Sequence, residues 1–172
     1  MYSSVPRLSP HSFLQAKATN SSPYTILAGA ANVFLDSNFI TKEGHILLIA
    51  AAEEGHLSVV ELLVSFGAQV NSQNNDGFTP LMIAAREGHL SVVELLVSGG
   101  AQVNSQDNYG FTPLMIAAQE GHLNVVELLV SVGAQVNSQD KVGGTPLMYA
   151  TMNDHSSIVE LLLSKGADQS QR

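Results

Sequence analysis

Four histidines (His56, His89, His122, His155) and four glutamates (Glu61, Glu94, Glu127, Glu160) each recur with a fixed period of thirty-three residues. Imidazoles and carboxylates are the side chains that ligate metals and move protons in acid–base catalysis. Their spacing argues against both uses. A metal needs ligands converging on one ion, whereas equivalent positions in stacked units form a ladder with rungs roughly 8–10 Å apart. The histidines therefore read as hydrogen-bonding groups of a helix–helix loop, and the glutamates as a solvated helix face. The chain carries no phosphate-cradling glycine loop, no Gly-x-Ser-x-Gly elbow and no His-Glu-x-x-His pair. No catalytic residue, metal or cofactor is expected.

Those ladders are part of a larger period. Asn75 to Ala85 returns almost letter for letter as Asn108 to Ala118, and in looser form as Lys141 to Thr151. A repeat of this length marks small units stacked side by side, not one closed globule. Aligning on it gives units at 42–74, 75–107, 108–140 and 141–172. The middle two differ only at Asp76/Tyr109, Arg86/Gln119, Ser91/Asn124 and Gly99/Val132.

Each unit reads as turn, helix, short loop, helix and extended arm. Thr79 before Pro80 predicts a helix start, since the hydroxyl can cap free backbone N–H groups and proline fits the first helical position. Gly88-His89 ends that helix. Leu90, Val93, Leu96 and Val97 then form the apolar stripe of a second helix. Gly100 suits a left-handed C-terminal residue, and Asn-Asp-Gly or Asn-Tyr-Gly turns the following arm back. A helix pair this short cannot bury its apolar face alone, so the units must stack.

Composition narrows the partners. The formal net charge is −8 with a pI of about 5.0, and charged residues are only 13% of the 172. So few basic residues leave no footprint for nucleic acid or for an anionic membrane surface. Cysteine is absent, which excludes disulfides and thiolate sites and fits a reducing, intracellular and cytoplasmic setting. No apolar run is long enough to span a bilayer, and no secretory signal is evident.

The Thr-Pro-Leu start, the Gly-His-Leu-x-Val-Val-Glu-Leu-Leu second helix and the Gly-Ala-x-Val-Asn exit resemble the signature of the ankyrin-repeat family over about residues 42 to 172. The resemblance implies an all-α ankyrin-repeat solenoid of stacked helix-turn-helix units joined by β-hairpin-like fingers. One departure is consistent: Met82, Met115 and Met148 stand where the family usually has histidine, which implies loss of a polar link inside the first helix. The final unit, 141–172, reads as a C-terminal cap with a wetter outer helix. Residues 1–9 are expected to be disordered and 10–41 to form a degenerate capping repeat or an irregular segment.

The resemblance also implies where a partner docks: in the groove between the turn fingers and the outward face of the first helices. Carried onto this chain, the partner-binding positions are Asp76, Phe78, Arg86, Glu87, Tyr109, Phe111, Gln119, Glu120, Val142 and Met152. Most differences between the middle units fall on or beside these positions, in keeping with binding or with drift of exposed surface. Tyr109, present in one copy only, is the best placed of the aromatics for partner contact, whereas Phe78 and Phe111 recur and suit packing between fingers. The glutamates favour a partner with a basic or mixed face. Asn71, Asn104 and Asn137 match the asparagine that is a hydroxylation target in this family; a role in tying the turn together is the plainer reading. The chain is thus expected to be a monomeric, non-catalytic module that binds another protein. The alternatives are a recognition segment of a larger enzyme or signalling protein, or a structural spacer or inhibitor.

Overall fold

The computed structural model describes residues 37–168, with side chains from residue 44. The segment 1–9 and the greater part of 10–41 therefore lie outside the described residues. Among those described there are eight helices and no strand: α1 (Ser37–Glu53), α2 (Leu57–Ser65), α3 (Pro80–Glu87), α4 (Leu90–Ser98), α5 (Pro113–Glu120), α6 (Leu123–Ser131), α7 (Pro146–Met152) and α8 (Ser156–Ser164). The first helices α1, α3, α5 and α7 pack in series, as do the second helices α2, α4, α6 and α8, and the two helices of each unit pack together. The architecture is an all-α solenoid.

Local chemistry fixes each helix. Thr79, Thr112 and Thr145 cap the first helices, their hydroxyls accepting from the N–H of Met82 at 3.2 Å and of Met115 and Met148 at 3.3 Å. The reciprocal bond also survives. The Thr79 and Thr112 N–H groups donate to the sulfurs of Met82 and Met115 at 3.4 and 3.5 Å. The link expected to be missing is thus kept in these two units, weakened because a thioether is a poor acceptor. Gly88 and Gly121 end their helices at φ of 74° and 84°. A Cβ at Gly88 would also stand 2.5 Å from the ring of His122, so both backbone conformation and space demand glycine there.

The repeated histidines tie successive units together. Nε2 of His89 lies 3.0 Å from the carbonyl of Glu53, that of His122 2.8 Å from Arg86 and that of His155 2.9 Å from Gln119. A carbonyl can only accept, so Nε2 carries the proton. The exit asparagines span the same gap. The Asn71 side chain donates to the Gly100 carbonyl and accepts from Gln102 N–H; Asn104 does so with Gly133 and Gln135, and Asn137 with Gly166 and Asp168. The asparagine therefore clasps the next unit instead of its own turn.

Packing supplies most of the stability. Leu48, Leu63, Leu81, Leu96, Leu114, Leu129 and Leu162 are all but fully buried, while Ala52, Ala84, Ala85, Ala117 and Ala118 let the first helices approach. One buried leucine contributes about 1.5–3 kcal/mol, against roughly 1 kcal/mol for a typical hydrogen bond. The apolar face holds the stack, and the polar clasps set its register.

The first unit departs from the pattern. α1 runs unbroken through Lys42 and His45, the stretch that forms the finger in later units, so residue 42 falls inside a helix. Ile46 and Leu47 replace Thr-Pro here, leaving no proline ring to block the upstream turn. Gly99 and Val132 cap α4 and α6, and Gly99 sits against Val64 of α2. We predict that Asn104→Ala, which removes both hydrogen bonds of that side chain to the next unit, destabilises the fold by about 1–3 kcal/mol in urea titration. The exposed Glu94→Ala should stay within about 0.5 kcal/mol of the parent.

Candidate functional site

Three fingers project among the described residues, at 74–78, 107–111 and 140–144. Each is shaped by the side chain at its base. Oδ1 of Asn74 accepts from the N–H groups of Asp76 and Phe78, that of Asp107 from Tyr109 and Phe111, and that of Asp140 from Val142 and Gly144, at 2.7–3.0 Å. The loop is closed by a backbone bond from Asn74 N–H to the Phe78 carbonyl, repeated between Asp107 and Phe111 and between Asp140 and Gly144. Neighbouring fingers touch through single backbone bonds: Asn108 N–H donates to Asp76 and Lys141 N–H to Tyr109. One backbone bond per gap, with the Asn108 side chain adding a bond to the Asn75 carbonyl across the first, makes a row of hairpin-like loops but no sheet. Gly77, at φ 85°, is pressed so close that a Cβ would lie 2.6 Å from Asn108 N.

This scaffold sorts the expected binding residues. Asp76, Glu87 and Glu120 are exposed, Arg86 and Gln119 partly so. Tyr109, Val142 and Met152 project strongly, at 65%, 89% and 77% exposure. Phe78 and Phe111 are half-buried. The Arg86 guanidinium lies 5.7 Å from the centroid of the Phe78 ring, placing the end of a first helix against the base of a finger. Arg86 also pairs with Glu87 at 2.9 Å and Glu53 at 3.9 Å. Asn71, Asn104 and Asn137 are exposed in the exit arms, with both ends of each carboxamide engaged.

The last finger holds a feature that unit-by-unit reading overlooked. Tyr149 takes the position of Ile83 and Ile116, while Gly144 takes that of Phe78 and Phe111. Bulk has moved from finger to helix. The Tyr149 ring packs on Phe111 with centroids 4.9 Å apart, and its hydroxyl donates to Oδ2 of Asp140. A Cβ at Gly144 would meet that hydroxyl at 2.6 Å, so the glycine makes room for the tyrosine. The signal was the paired exchange of Ile for Tyr and Phe for Gly five residues apart.

The pair has a distinct acid–base character. Partial burial, then the hydrogen bond to Asp140 and the charge of Asp140, push the Tyr149 phenol up to about 12. Burial alone would raise Asp140, but the Tyr149 hydroxyl and the N–H groups of Gly144, Val142 and Gly143 outweigh it and hold the carboxyl below its ordinary 3.8. A lowered Asp140 adds stability above the unfolded carboxylate range, and that stability is lost as pH falls through the folded value. A raised Tyr149 adds stability fully present below about 10, lost as pH climbs through about 12. Near-ultraviolet titration should show a phenol ionising near pH 12. Tyr149→Phe should remove that phase and flatten the alkaline loss of stability.

Comparison with known proteins agrees with this geometry. A family model described as ankyrin repeats (3 copies) matches residues 24–107 and 99–172. Over 38 residues the chain is 49% identical to the Ankyrin repeat and MYND domain-containing protein 1 of Mus musculus, a stretch amounting to 22% of this chain and 4% of that protein. Matched along nearly its whole length, and built of stacked helix pairs with capped starts and clasped exits, the chain belongs to the ankyrin-repeat family.

Proposed function

We propose that this chain is a non-catalytic interaction module that binds another protein in the groove between its fingers and the ends of its first helices. Ankyrin repeats are in general protein–protein interaction modules, and the family is generally non-catalytic. The observation that carries the reading is the exposure of Tyr109, Val142 and Met152 on a scaffold whose neighbouring positions are pinned by hydrogen bonds. Apolar groups held rigidly in water lose little entropy on contact, and large exposed side chains at an interface centre carry a disproportionate share of affinity. The partner is a protein with a basic or mixed face and not a nucleic acid, and the module acts as a monomer. No helix among the described residues is long and apolar enough to cross a membrane.

The four second-helix glutamates are exposed and are read as solvated surface. Asn71, Asn104 and Asn137 are read as clasps between units. Hydroxylation at any of them would act on a residue whose carboxamide is already engaged at both ends.

For a captured partner, Tyr109→Ala and Met152→Ala should each lower affinity by about ten-fold or more, the scale of an interface hot spot. Both residues sit at the surface, so the melting temperature should stay nearly unchanged. Titration calorimetry and thermal melts check the two halves together. Unaltered affinity in both variants refutes the groove assignment.

A further inference from the structure

The groove is not uniform along its length. Toward the first two units it is acidic: Glu53, Asp76 and Glu87 face a single guanidinium, Arg86, which already pairs with both glutamates. Toward the last two units Glu120 and Asp154 stand against a single ammonium, Lys141, while the Asp140 carboxylate is already engaged by the Tyr149 hydroxyl and two finger N–H groups, and exposed apolar groups take over. Tyr109 and Val142 stand at the tips of adjacent fingers, joined through the bond from Lys141 N–H to the Tyr109 carbonyl. Met152 occupies the position of Arg86, whose side chain reaches its own finger base. It also lies one helical turn past Tyr149, which packs on Phe111 and holds the base of the Val142 finger through Asp140. The apolar end therefore has a braced aromatic floor as well as exposed rims.

Resting on the interaction reading above, we propose that the partner segment is bipolar: a bulky apolar residue seats against Tyr109, Val142 and Met152, and a basic cluster lies toward Glu53 and Glu87. The two halves reinforce each other. Apolar burial supplies affinity, and the surplus of carboxylates fixes direction and speeds encounter. The reverse orientation would bring cations beside Lys141 and bury apolar surface among carboxylates, leaving both unsatisfied. Two steps of helix packing separate the ends, roughly 16–20 Å. An extended segment rising about 3.3 Å per residue covers that in five or six residues. The partner chemistry is thus an extended peptide with Arg or Lys about five or six positions from a Leu, Phe or Trp.

The test uses a displayed library of random twelve-residue peptides, panned on the full chain at low salt, followed by amide chemical-shift mapping with the enriched peptides. The expected result is enrichment of peptides with this bipolar pattern. Replacing their apolar residue by Ala should erase shifts around Val142 and Met152, and replacing their basic residues should erase shifts around Glu53 and Glu87. Met152→Ser should weaken them about ten-fold, and Glu53→Gln with Glu87→Gln should flatten the salt dependence. Acidic or patternless peptides, or no enrichment, overturn the proposal. Peptides lying in the groove with their apolar end at the first two units overturn the polarity but leave the groove reading standing. Shifts confined to α2, α4, α6 and α8 overturn the groove reading itself.

Discussion

No unit of this chain can close on itself. From the second unit on, a pair of helices of seven to nine residues has one apolar side and nothing within the unit to cover its other flanks. Burial is completed only by the next pair, and the polar groups follow the same rule. The His89, His122 and His155 rings and the Asn71, Asn104 and Asn137 carboxamides all reach across to a neighbouring unit. The clasps contribute less free energy than the leucines, yet they decide how far each unit is turned relative to the last.

The groove is a by-product of that stacking. Because helix ends and loop bases are spent on contacts between units, the fingers are held from below while their tips stay in water. Asp76, Tyr109 and Val142 hang from nearly identical loops, so their chemistry can vary without disturbing what supports them. The fourth unit tests this independence. There the aromatic ring comes from the helix and not from the finger, and yet the finger keeps its shape because Asp140 grips the same two N–H groups as its counterparts.

Much of this could be read from the letters. The Thr-Pro starts, the Gly-His stops and the apolar stripe are local signals, each a few residues long, and they appear as helices where they were expected. What escaped was relational. Asn104 looks like a turn residue until the neighbouring unit supplies its partners. Met82 looks like the loss of an acceptor until the sulfur is seen within reach of Thr79 N–H. The run of α1 through Lys42 followed from what Ile46 and Leu47 fail to do, and an absent signal is harder to read than a present one. Tyr149 and Gly144 each look like drift alone, and only their contact explains both.

The clasps between units span 29 to 36 residues each, and this span does not grow along the chain. Search distance during folding is therefore set by one period and not by total length, as in other arrays with neighbour-only contacts. Order can begin at any well-formed pair and spread in both directions like a zipper. A lesion at either end should merely fray it, whereas the same lesion between α3 and α6 would cut the rod into two pieces, each too short to hold together well.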